Sequence, residues 1–540
     1  MIQRRSFALL LLVALLIPIL AACGGSTGGT TASPAASSAA ASAVASAPAA
    51  STEASAPAAS TEASAPAASA EASAEASAEA SAEASPEASA EASSVAEASP
   101  EGTETAGGAG PGESTGRPSV DPATIGQELA DAYTGKFKGT TVTMLGPFVD
   151  ADAEAFERSM KPFEDLTGIN VQYEGTKEFE SLINVRVEGG TPPDIADTPQ
   201  PGLVASLAAA GDVQDLTSWI NQDWLKQNYN QGYIDALTMP DESGNEILGG
   251  IFQRINVKSL VWYPKDDWDE AGYEIPQTWD EMKQLMDDIV ADGDTPWCIG
   301  IESGTATGWP ATDWIEEIML RTTSQENYDK WTRGELPFTS PEVQNAAKIM
   351  EEIWFNDKYV YGGRSQIVST NFGDSVAPMF EEPPRCWLHK QGNFITNYFP
   401  DDAEAGVDYA FFYLPPIDEQ YGKPVLFAGD PMIAFADRPE VRAVMQYFTT
   451  FDSLKGWVAT GGALSPHNDA DVSAYGSDIE RQLAEILANA DRTGFDGSDL
   501  MPGAVGAGTF WQGMTNWVSG ASDLNGALET AQQGWNNVQK

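Results

Sequence analysis

The feature that most limits what this chain can fold into is a low-complexity run over residues 23–120, built from Ala-Ser-Ala-Glu repeats with scattered Pro and Gly. It has no aromatic residue and almost no large aliphatic one, so nothing in it offsets the entropy of ordering. Twelve Glu and neither Lys nor Arg fall between positions 24 and 116, so the segment repels itself and extends. As a flexible coil, roughly ninety such residues reach about 50–60 Å. The run therefore reads as a disordered tether. About 420 residues remain to fold, too many for one core and enough for two lobes.

What precedes the tether sets the compartment. Arg4 and Arg5 lead into an apolar run over residues 7–22, broken only by Pro18, which is short for a bilayer span. Residues 1–22 read as a signal peptide, and Leu20-Ala21-Ala22-Cys23 resembles a bacterial lipobox. Lipidation of Cys23 then anchors the protein at the extracellular face of the membrane without a spanning helix. Ordinary secretory cleavage after Ala22 is the alternative. Beyond residue 117 the chain carries about −41 of the formal charge of −50. Such a surface disfavours nucleic acid, anionic lipid and phosphorylated substrates, and leaves neutral or cationic solutes.

After Cys23 only Cys298 and Cys386 remain, both beside Trp in apolar surroundings. In an exported protein that pattern predicts one buried disulfide, with two free thiols as the alternative. With His389 and His467 the only histidines, no zinc or copper site and no cofactor is expected. The acidic patch over residues 266–270 lacks the glycine and spacing of a calcium loop and reads as a solvated turn.

The densest chemistry lies in TPWCIGIESGTATGWPATDW, residues 295–314. A short apolar segment loosens into a small-residue loop, and Pro310 marks a helix start, where its missing N–H costs nothing. Trp309, Asp313 and Trp314 fall in the first turn. Indole faces cover the C–H patches of a sugar ring while a carboxylate accepts its hydroxyls. Trp309, next to glycine, favours a ligand role. Trp314, beside Ile315 and Ile318, favours the core.

In chain order, strands near 138–148, 169–173 and 193–197 alternate with helices, a rhythm that indicates a parallel α/β lobe. Ligands gather at the carboxyl ends of such strands, here 146–148, 174–178 and 198–202. The apolar strand SLVWYP, residues 259–264, follows, and Thr278 with Glu281 predicts a capping box. Further helices are expected at 440–451, 478–488, 510–518 and 524–538.

The order of these segments resembles the family 1 extracellular solute-binding proteins of carbohydrate ABC importers, the maltose-binding-protein group, and most of all its alpha-glucoside-binding branch. The likeness spans roughly residues 138–540 and rests on VKSLVWYPK, TPWCIGIESGTATGWPATDWIE, VYGGR, STNFGD, PPRCWLHKQ and MPGAVGAGTFWQGMTNWVSG. It implies a two-lobe periplasmic-binding-protein-like α/β fold with a crossover hinge. Lobe 1 takes 121–258 and 425–463, and lobe 2 takes 259–424 and 464–540. In the family's last ligand-contacting segment an aromatic stacks on the sugar, and Trp511 falls at that place. Where many relatives have Gly-x-Ala-Ala-Met, this chain carries Pro378, which should break a helix.

A cleft that closes on a sugar needs contacts from both lobes. The first offers Glu178, Gln200 and Asp430. The second and the crossover offer Trp262, Tyr263, Trp309, Asp313, Asn371 and Trp511, with Trp387 better suited to the core. The resemblance implies a monomeric, lipid-anchored receptor that passes a neutral oligosaccharide, an alpha-glucoside, to ABC importer permease subunits, and not an enzyme. An extracellular glycoside hydrolase and a sugar-sensing receptor are the rival readings. No stretch sets an acid in a recognisable catalytic context, and nucleophile-elbow, phosphate-loop and metal motifs are absent from the sequence.

Overall fold

The computed structural model describes residues 117–538. The signal, Cys23 lipidation and tether expectations lie outside the described residues, apart from the last four positions of the tether. Eleven strands are described: β1 (Thr141–Gly146), β2 (Asn170–Gly175), β3 (Ile195–Asp197), β4 (Thr238–Pro240), β5 (Glu246–Leu248), β6 (Ile251–Val257), β7 (Leu260–Pro264), β8 (His389–Lys390), β9 (Tyr409–Tyr413), β10 (Pro424–Ala434) and β11 (Arg492–Phe495).

One six-stranded sheet runs β11-β10-β3-β1-β2, with β6 also paired to β10. β1 pairs in parallel with β2 and β3, as the strand–helix rhythm predicts. The helix Asp150–Thr167 links the first two strands. It buries Ala155, Phe156, Met160 and Phe163 at helical spacing and ends on Gly168 in the left-handed region, φ 71. A second sheet, β8-β7-β9, is antiparallel throughout. All five residues of β7 are buried, so this strand has no solvent face.

The chain leaves the large sheet at Lys258-Ser259 and returns between β9 and β10. β10 is eleven residues long. Its first half pairs with β11, its last three residues pair antiparallel with β3, and β6 lies along most of its length. The register with β6 shifts between Asp430 and Pro431, where proline cannot donate to the ladder. This crossover joins the two lobes. β11, from the segment expected wholly in lobe 2, pairs with β10 and thus belongs to the large sheet.

Helix Trp309–Thr322 is buried all round from Pro310 to Arg321 and carries four ionisable side chains into the interior. Trp314 meets Trp297 and Trp354 edge-on, as a core residue should. Thr278 and Glu281 form the expected capping box. Pro378 is accommodated by a 3₁₀ turn, Asp374–Phe380, in place of an α-helix. Cys298 and Cys386 are joined with Cα atoms 5.4 Å apart, closing a sequence separation of 88. On the chain-entropy account a loop of that size contributes about 4–5 kcal/mol. Among the described residues no helix is long and apolar enough to cross a membrane.

Candidate functional site

A cavity of about 150 Å³ is lined from both lobes. One wall begins at the carboxyl end of β1, where Phe148 leads into the helix carrying Asp152, and continues through Glu180, Gln200 and Asp430. Trp309, Phe372, Phe394 and Trp511 supply the other. The crossover strand β6 and the residue following it add Arg254, Asn256 and Lys258.

Arg254 and Asp430 face each other across the β6–β10 ladder. Arg254 Nε donates to Asp430 Oδ2 at 2.9 Å, and Asn256 Nδ2 donates to the same oxygen at 3.2 Å. The guanidinium also lies 3.6 Å from Asp152 and sits over the rings of Phe148 and Trp457, at 4.3 and 4.5 Å from their centroids. Asn397 and Tyr398 donate to the two oxygens of Asp152. Burial pushes the Asp152 carboxyl up, while Arg254, Asn397 and Tyr398 pull it down.

A second buried cation anchors the opposite wall. Lys258 Nζ donates to Asp313 at 2.9 Å and to Asp496 at 2.6 Å, and lies 5.1 Å from the Trp309 ring centroid. Desolvation alone would raise the Asp496 carboxyl, but the Lys258 ammonium holds it down at about 2. Burial lifts Asp313 to about 7 against the same ammonium, so Asp496 carries the charge of the pair. Oxygens of Asp313, Glu316 and Asp496 lie within 4.8 Å of one another, a spacing that suits a metal ion. Lys258 already supplies the cation there.

Trp511 opens the helix Trp511–Ser519 directly after a π-helical turn, Ala504–Phe510. Its Nε1 donates to Ser498 Oγ at 3.2 Å, and Ser498 Oγ donates in turn to Asp496. Gly308 precedes Trp309 with φ +118, and a Cβ there would meet the Trp511 carbonyl at 2.5 Å. The two indole-bearing segments are therefore pressed backbone to backbone.

Of the residues expected in the cleft, Gln200, Trp309, Asp430 and Trp511 line the cavity. Five stand elsewhere, which corrects their expected placement. Trp262 is fully buried in the second sheet, its Nε1 donating to the Gln391 carbonyl. Tyr263 packs on Trp268 and Phe412. Both follow from β7 being covered on each face. Glu178 is the exposed residue preceding the helix Phe179–Glu188, and Glu180, inside its first turn, reaches the cavity. Asp313 spends its carboxylate on Lys258 behind Trp309. Asn371 is held by Glu302, its Nδ2 donating to Oε2 at 2.8 Å, and leaves its neighbour Phe372 on the cavity. Trp387 is buried against Tyr273, a core residue as expected.

Sequence reasoning missed Asp152, Glu180, Arg254, Lys258, Asp496 and Asp499, all of which line the cavity. A signal for Arg254 was present: a charge inside the apolar strand IFQRINV has to be paired.

A profile of the bacterial extracellular solute-binding protein family matches residues 147–451. The osmoprotective compounds-binding protein GgtB of Synechocystis sp. is 42% identical over 395 residues, covering 73% of this chain and 92% of that one. The alpha-glucosides-binding periplasmic protein AglE of Rhizobium meliloti is 41% identical over 408 residues, covering 74% and 88%. Among solved structures, the bacterial solute receptor AcbH superposes with a TM-score of 0.64 at 18% identity, over 74% of this chain and 100% of that one. Maltose-bound MalE3 of T. maritima gives 0.57 at 14% identity, over 74% and 100%. The two sheets and the crossover between them are thus the two-lobe fold of those receptors, and this chain belongs to the bacterial extracellular solute-binding protein family.

Proposed function

We propose that this protein is the sugar receptor of an ABC importer and that it captures an alpha-glucoside between its lobes. The observation that carries the reading is the cavity itself. Two indoles, Trp309 and Trp511, stand opposite an amide and carboxylates, Gln200, Asp152 and Asp430. Indole faces cover the apolar faces of a pyranose, and acceptors take its hydroxyl protons. Closure is favoured because each lobe gains contacts only when the ligand bridges them. The names of AglE and of maltose-bound MalE3 support a glucoside.

The finer parts of the reading extend it. Cys23 carries a lipid, residues 23–120 act as a spacer, and the receptor delivers its ligand as a monomer to the permease subunits. Lobe 1 comprises 121–258 and 425–463, and lobe 2 comprises 259–424 and 464–540, except β11, which belongs to the large sheet. Calorimetry and thermal melting of the mature protein with maltose, trehalose and longer maltodextrins test the central claim. Saturable binding of intact sugar with a raised melting temperature is expected. Release of glucose would favour the hydrolase, and no response to any sugar would end the receptor reading.

A further inference from the structure

The acids along the cavity differ in how they are partnered. Asp152 and Asp430 share Arg254, and Asp496 holds Lys258. The carboxylate of Asp499 has no hydrogen-bond or ion-pair partner among the described residues, although the residue is only 6% exposed. On the same cavity, Gln200 Nε2 donates to Glu180 Oε1 at 3.2 Å. That leaves Gln200 Oε1 buried without a partner, in a residue 3% exposed. The segments carrying Gln200 and Asp499 touch: a Cβ on Gly202 would lie 1.8 Å from the Met501 carbonyl oxygen.

Asp499, Gln200 and Glu180 all line the cavity, and among the described residues neither carboxyl has an ion-pair partner. A sugar hydroxyl brings a single donor and lone pairs of its own. An ammonium brings several donors and the charge that a buried carboxylate lacks. The buried cations on the cavity, Arg254 and Lys258, are spent on Asp152 and Asp430 and on Asp313 and Asp496. Burial, and then the Asp496 charge, push the Asp499 carboxyl well above its ordinary range while Lys258 pulls it down, and burial raises Glu180 as well.

We propose that Asp499, Glu180 and Gln200 form a subsite for a protonated amine, so that glycosides bearing an ammonium group bind more tightly than their neutral counterparts. The inference rests on the sugar-receptor reading above. Titration calorimetry of the mature protein compares methyl α-glucopyranoside with its 2-amino, 3-amino and 6-amino deoxy analogues, and 1-deoxyglucose with 1-deoxynojirimycin. At least one amine is expected to bind about tenfold more tightly than its neutral partner, the increment of one charged hydrogen bond. In Asp499→Asn that ratio falls towards one. If the neutral glycosides bind and no amine surpasses them, the subsite is wrong while the receptor reading stands. If no compound binds, both fall. A preference that survives in both Asp499→Asn and Glu180→Gln also overturns the assignment. The wild-type comparison needs no variant to fold.

Discussion

The two walls of the cavity are built on one plan from different chemistry. Each has a single buried cation shared by two carboxylates: Arg254 with Asp152 and Asp430, and Lys258 with Asp313 and Asp496. The cations stand four positions apart at the crossover, so the element joining the lobes carries both charges. Arg254 is planar, set against the edge-to-face pair of Phe148 and Trp457, and its acids line the cavity. Lys258 is a point charge beneath Trp309, and Asp313 lies behind the wall. The first wall thus offers polar contacts with its charges in fixed planes, and the second offers indole faces with Lys258 and Asp496 bordering the same cavity. A rigid fork can present acceptors in register, whereas an ammonium serves to seat an aromatic.

The largest effect should come from removing a cation. Arg254→Met leaves two buried carboxylates without their cation and loses the cation's contact with two ring faces, so we expect a stability loss of about 3–5 kcal/mol in denaturant titration. Lys258→Met should cost less, because Asp313 readily keeps its proton. A larger loss for Lys258→Met would show that the Lys258 network, not the Arg254 network, carries the greater share of stability.

Ligand affinity separates the walls next. Trp309→Ala should weaken glucoside binding by roughly 1–3 kcal/mol with little loss of stability, since that indole is only half-buried. Trp511→Ala should match it in affinity and also lower the melting temperature, since Trp511 is 3% exposed. Unchanged affinity for either would remove that indole from the site.

Acidity distinguishes the Lys258 network. Asp313 is raised from 3.8 to about 7, so its neutral form is the one the fold prefers. The stability this contributes is complete below pH 4 and is lost as pH rises through about 7. Asp313→Asn should therefore flatten the fall in stability between about pH 4 and pH 7, by on the order of 4 kcal/mol, and change nothing further above that. Equal slopes for wild type and variant would show that Asp313 is ionised throughout. Asp496, lowered to about 2, acts in the opposite sense: its contribution holds above its unfolded value and fades only as pH drops through about 2. The smallest effect belongs to Tyr263→Phe, whose affinity should stay within about 0.5 kcal/mol of wild type, because the ring packs inside the second sheet. A greater loss would return Tyr263 to the site.

Local rules carried much of this molecule. The strand–helix alternation over 138–197, the Thr278–Glu281 cap, the pairing of Cys298 with Cys386 and the core position of Trp314 all follow from spacing and composition, because each depends on neighbours along the chain or on a single scarce residue type. SLVWYP was legible as a strand, but which of its faces meets a ligand was not. Period-2 alternation assigns sides only when one side is wet, and β7 is dry on both.

Composition and spacing alone require an acidic chain with a coreless N-terminal run to place its chemistry in a large α/β body, with indoles near 309 and 511 in one segment pattern. Which acids face the cavity is set by the folded arrangement. Asp152 and Asp499 are 347 residues apart and look like any other acid in a chain of 79 Asp and Glu. What distinguishes a buried acid is the cation beside it or the lack of one, and that is set by strands meeting across the crossover, through contacts that no local pattern encodes.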